Sequence, residues 1–170
     1  MQAQEEPELL WPRWADRLEA AGEIGVARCY MHNQKDGAPL AVAGVTPRCT
    51  TDAEAFELAT EARFAEYQTR GGSSASMIDH YFDKLLQIAR PAPSLVRNPY
   101  LEREAEHRAA PLLRVITAYG ETGEVPVDEI EAIVERCGLG KKKKKKAREE
   151  AEEENVAPVG GEGGKAQRVA

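Results

Sequence analysis

The stretch from Met77 to Ala89 constrains this chain more than any other. Ile78, Tyr81, Phe82, Leu85, Leu86 and Ala89 recur at the spacing of one helix face. Asp79, His80, Asp83, Lys84 and Gln87 fall on the other. That is the period of an amphipathic helix and not of a strand. No stretch of useful length alternates apolar and polar residues as a strand does, and no internal repeat is visible. The chain therefore predicts an all-α fold.

Start and stop signals place the other helices. Pro12 suits the first turn of a helix carrying Trp14, Leu18 and Ala21, with a pause at Gly22. Ile24, Val26, Ala27 and Tyr30 continue the pattern to His32 and Asn33, and the region 33–49, rich in Gly and Pro, reads as a loop. Thr51-Asp52-Ala53-Glu54 is a capping box that opens a helix expected to run to about Gln68. Arg70-Gly71-Gly72-Ser73-Ser74 breaks it, and Arg90-Pro91-Ala92-Pro93 ends the Met77 helix. Asn98-Pro99 opens a long helix toward Tyr119, with a kink or break expected near His107 because Pro111 lies inside it. A last helix, Val127 to Cys137, stops at Gly138.

Charge is uneven along the 170 residues. Residues 141–170 hold nine Lys or Arg and six Glu, a net of +3, which leaves 14 basic and 23 acidic side chains, a net of -9, in the first 140. An acidic body is a poor nucleic-acid surface, since phosphate binding needs Lys and Arg to displace counterions. Weak contact through the Lys141–Lys146 run is the exception. That run and the glycine-rich end read as a disordered, solvated tail, or as a nuclear-localisation signal or electrostatic tether. The start MQAQEEPE lacks the basic and apolar regions of a secretion signal, and no apolar run approaches a membrane span. Cys29, Cys49 and Cys137 are odd in number and outside any C-x-x-C pair. Reduced thiols in an intracellular, cytoplasmic protein are expected, with a nuclear location resting on the Lys run alone.

Two stretches carry a resemblance. Ala15-Asp16-Arg17-Leu18-Glu19-Ala20, followed by Gly22-Glu23-Ile24-Gly25-Val26-Ala27-Arg28, resembles the closing motif A-D-R-L-(D/E)-A-(I/L)-G-x-I-G-(I/V)-A-R of the HD-domain metal-dependent phosphohydrolases, in their small predicted-hydrolase branch. The stretch Ser74 to Leu86, with Ser76, Ile78, Asp79, His80, Lys84, Leu85 and Leu86, resembles the later S-x-I-D-H-F-(Y)-x-K-L-L of the same branch. The likeness covers roughly residues 15 to 118. It implies an incomplete HD-like helical bundle over 15–138, with 1–14 as a lead-in outside the resemblance and 139–170 as the low-complexity tail.

The resemblance also implies chemistry. Family members hold a divalent metal with a histidine, an adjacent His-Asp pair and a distant aspartate, and cleave phosphate esters, nucleotides among them. Here Asp16 is the retained metal-ligand candidate. His32, His80 and His107 are followed by Asn33, Tyr81 and Arg108, so no His-Asp pair exists, and no histidine precedes Asp16. Many relatives have a further aspartate where Trp14 stands. A divalent ion that polarises a phosphoryl oxygen needs several converging ligands, so this chain alone is expected to be catalytically incomplete, with no metal bound or only weak binding.

The resemblance places His80 and Lys84 in the substrate pocket, with Lys84 meeting a phosphate as a point charge. Arg17 and Arg28 are further phosphate candidates, against the plainer expectation that they pair with Asp16, Glu19 or Glu23. For Asp79, His80, Asp83 and Lys84 the plainer alternative is a solvated helix face. His107 reads as structural. Trp11 and Trp14 need an apolar partner that upstream helices would supply in a full HD domain. The alternative function is accordingly a non-catalytic helical module that pairs with another chain, or with itself, through an exposed apolar seam.

Overall fold

The computed structural model describes residues 6–90 and 97–139. Pro91-Ala92-Pro93, the Lys141–Lys146 run and the glycine-rich tail lie outside them. Among the described residues every regular element is helical, as the periodicity predicts. No helix among them is long and apolar enough to cross a membrane.

A 3-10 turn, Pro7–Leu10, leads into α1, Trp11–Leu18. The chain then turns sharply into α2, Gly22–Asp36, where Gly22 takes a φ of +75°. Gly25 closes the same bend: a Cβ there would stand 2.4 Å from the Ala20 carbonyl oxygen. The two glycines of the first motif thus let the chain turn tightly from α1 into α2. The capping box forms as expected and opens α3, Asp52–Leu58. That helix does not continue to Gln68. Ala59 leaves the helical conformation, and Thr60 caps a separate α4, Glu61–Thr69, by accepting from the Arg63 amide at 3.2 Å.

Helix α5 is the centre of the fold. It begins as Met77–His80, passes through a π-helical turn, Tyr81–Leu85, and ends as Leu86–Ala89. Ser76 caps it, and the loop before α3 supplies two more acceptors: the amides of Met77 and Ile78 donate to the Pro39 and Leu40 carbonyls, each at 3.0 Å. These partners satisfy donors that a helix start leaves open. Asn98 caps α6, Pro99–Thr122, which runs through Pro111 without a break. Proline there removes one intrahelical bond, but Leu112, Leu113, Val115 and Ile116 are buried in the core and hold the helix across it. Helix α7, Val127–Arg136, ends at Cys137 before Gly138.

Helices α2, α5, α6 and α7 enclose the core, with α3 and α4 packed on α5. Met77, Ile78, Tyr81, Phe82, Leu86, Leu112, Ile116, Ile130 and Ile133 are fully buried. Each such side chain contributes about 1.5–3 kcal/mol of transfer free energy. Trp14 packs in a smaller cluster with Leu18, Leu101 and Ala105, while Leu9, Trp11 and Tyr100 are exposed.

One expectation for α5 is overturned. Asp79 and Asp83 are not on a solvated face; both are buried. Helical spacing put them opposite the apolar residues, but α5 is covered on nearly every side, and a partner from α4 makes their burial tolerable.

Candidate functional site

That partner is Arg63. Its Nη2 donates to Asp79 Oδ1 at 3.0 Å and its Nε to Asp83 Oδ1 at 2.7 Å. The hydroxyls of Thr46 and Ser76 each donate to Asp79 Oδ2 at 2.7 Å, and Ser74 Oγ donates to Asp83 Oδ2 at 2.8 Å. All four carboxylate oxygens are therefore occupied. The network fastens α5 to α4, to the 38–50 loop and to the Ser73-Ser74 segment. Nothing in the sequence paired Arg63 with residues 16 and 20 positions away, although two aspartates four apart on a helix rich in large apolar residues are a signal that such a partner is needed.

Next to this network lies a cavity of about 430 Å³. Helix α2 contributes Gly25, Arg28, Cys29 and His32 to its wall, and α5 contributes His80, Lys84 and Leu85. Tyr67 of α4 and the segment Gly72-Ser73-Ser74 complete it. The two stretches that carry the resemblance, far apart in sequence, thus meet at one cavity: Arg28 closes the first motif, and His80 and Lys84 lie in the second.

Charge in the cavity is unbalanced. Among the described residues neither Arg28 nor Lys84 is paired with a carboxylate. Glu23, expected to take a neighbouring arginine of its own helix, instead pairs with Arg136 of α7 at 2.7 Å. Lys84 Nζ lies 5.8 Å from the Tyr67 ring centroid, a cation–π contact that holds the ammonium without neutralising it. Asp36, the one acidic residue in the wall, is met by His32 Nδ1 at 2.9 Å. Burial, then Lys84, then His32 push the His80 imidazole down to about 4, so the ring is neutral at pH 7. Burial pushes the Cys29 thiol up to about 12 against the opposing pull of Lys84, which makes it a poor nucleophile.

The other sequence candidates lie elsewhere. Asp16 is exposed on α1, and Arg17 Cζ stands 5.3 Å from the Trp14 ring centroid; neither lines the cavity. His107 is exposed on α6. Among the described residues no three His, Cys, Asp or Glu side chains come together in a way that could hold a metal ion. The donor set present does not fit the divalent centre of the HD family, and no chemical step can be drawn through one from these residues.

No family model and no solved structure matches the chain. Over 104 residues, 61% of its length, it is 43% identical to the uncharacterized protein L803 of Acanthamoeba polyphaga mimivirus. The matched part is 42% of that protein, so the chain spans less than half the length of this relative.

Proposed function

We propose that this chain is a relative of the HD phosphohydrolases that binds a phosphate ester in the α2–α5 cavity and, by itself, does not hydrolyse it. One observation carries the reading: Arg28 and Lys84, from separate elements, line one cavity without carboxylate partners in a body of net charge -9. In so acidic a molecule a cation is easily neutralised from within. Two left open in one cavity form a site for an anion, with the guanidinium offering a planar fork and the ammonium a point charge. The neutral His80 and the Ser73 hydroxyl add hydrogen-bonding groups at the same wall.

Calorimetric titration of the purified chain with inorganic phosphate tests this. Binding should weaken by about tenfold or more in each of Arg28→Ala and Lys84→Ala, the loss expected for a hydrogen bond to a charged group. Unchanged affinity in both variants would remove the site. The same protein should release no measurable p-nitrophenol from p-nitrophenyl phosphate with Mg²⁺ or Mn²⁺ present. Stoichiometric metal in the purified protein, lost in Asp16→Ala, would overturn the non-hydrolytic part.

A second reading, a helical module that pairs with another copy of itself, draws on the exposed Leu9, Trp11 and Tyr100 around α1 and the start of α6. Light scattering coupled to size exclusion would remove it by showing a monomer at every concentration.

A further inference from the structure

Ser74 stands between Asp83 and His80. Its Oγ lies 2.8 Å from Asp83 Oδ2 and 3.5 Å from His80 Nδ1. A carboxylate oxygen only accepts, so the single hydroxyl proton of Ser74 goes to Asp83. Toward His80, Oγ then has lone pairs alone. The Ser74–His80 contact forms only if Nδ1 is the protonated nitrogen. In a neutral imidazole the other nitrogen, Nε2, is then an acceptor. Asp83 cannot turn to serve His80 itself, because Arg63 Nε holds its other oxygen at 2.7 Å. The ring is also held from the side by Tyr67, edge to face at 5.4 Å between centroids. With Nδ1 turned to Ser74, Nε2 is the ring nitrogen left for the cavity that His80 lines.

We propose that the Asp83–Ser74 pair fixes His80 in its Nδ1–H tautomer, so that Nε2 accepts a hydrogen bond from a hydroxyl of the ligand whose phosphate meets Arg28 and Lys84. The inference rests on the phosphate reading above and narrows it to hydroxyl-bearing phosphate monoesters, such as polyol or sugar phosphates. Arg28 and Lys84 can only donate, and they recognise the anion. His80 is the acceptor beside them, and it rewards a ligand that brings a donor. An alkyl phosphate offers none from its carbon chain. Ser74 and Asp83 act through His80 and are positioning residues, as is Arg63 behind them.

Two measurements on the full 170-residue chain test this. The first is ¹⁵N NMR of the imidazole nitrogens at pH 7, with His80 identified by the signals missing from His80→Phe. Nδ1 should be protonated and Nε2 bare in the native protein and in Ser74→Thr, which keeps the hydroxyl; Ser74→Ala should shift the population toward Nε2–H. An Nε2–H ring in the native protein, or the same spectrum in Ser74→Ala, overturns the tautomer assignment.

The second compares glycerol 3-phosphate with ethyl phosphate by calorimetry. Glycerol 3-phosphate should bind about fivefold more tightly, the worth of one neutral hydrogen bond, and the difference should vanish in His80→Phe. Equal affinity of the two esters overturns the hydroxyl contact while leaving the phosphate site standing. If neither ester binds, the phosphate reading falls and this ligand class falls with it.

Discussion

On one side of α5 the guanidinium of Arg63 is met by Asp79 and Asp83, and their remaining oxygens by three hydroxyls. Facing the cavity, Lys84 of the same helix and Arg28 of α2 meet no carboxylate among the described residues. The two clusters are neighbours, joined at Ser74, and contain the same kinds of group. What differs is completion. A buried charge cluster with every acceptor filled holds elements in place. A cluster with two cations and a single carboxylate, already engaged by His32, leaves its attraction for something that is not part of the chain. The first shapes the wall of the second.

The comparison can be broken most severely at Arg63. Arg63→Met should leave two buried carboxylates without their cation and lower stability by about 3 kcal/mol in urea denaturation. Lys84→Met, which removes a cation with no carboxylate partner, should cost far less in the same assay. Equal losses would mean that the cavity cluster is as structural as the network.

Acid tests the boundary between the clusters. His80 faces Lys84 on its own helix, Asp83 through Ser74, His32 from α2 and the Tyr67 ring from α4. Its folded value, about 4, lies below the 6.5 of a free imidazole. Between these values the unfolded chain binds a proton that the folded chain does not, so folding stability falls as pH drops from about 6.5 and this part levels off below about 4. His80→Phe should flatten that section of the curve, and an unchanged slope would show that His80 does not cause it.

Tyr81 offers a smaller test inside the core. Its hydroxyl is buried with no hydrogen-bond partner among the described residues, the opposite of the filled network one turn away. Tyr81→Phe should raise stability by about 1 kcal/mol, since an unsatisfied polar group is removed. A loss of stability would reveal a partner for that hydroxyl. The smallest effect belongs to Arg70 and Glu66, an exposed ion pair at the end of α4. Arg70→Ala should change stability by only about 0.3–0.5 kcal/mol, and less at high salt.

Local signals in the sequence located most helix ends. Thr51 with Glu54, Asn98 with Pro99, and Gly138 all mark boundaries where the structure has them, because caps act within a few residues of the backbone they serve. The break at Ala59-Thr60 carried no Gly or Pro and was hidden inside a helical pattern. Pro111 signalled a break that the surrounding core prevents. Of the cavity, His80 and Lys84 were legible as a polar pair and Arg28 as a phosphate candidate, whereas Arg17 was expected there and lies on the Trp14 ring. The inward turn of Asp79 and Asp83 could not be read from spacing, since it depends on Arg63 from another helix and on a π turn that departs from the 3.6-residue period.

That π turn, Tyr81–Leu85, gives α5 one place where its length is negotiable. A π turn holds one residue more than the α turn it replaces. Deleting one residue there would restore regular geometry and leave the segments on both sides near their present bearings, whereas a deletion in a regular turn would rotate everything beyond it by about 100°. His80 would stay on the cavity wall, and Leu86, Ile88 and Ala89 would stay in the core. Along this helix the cost of a change of length therefore depends on where it falls, and the extra peptide unit between Tyr81 and Leu85 is the one that the geometry can spare.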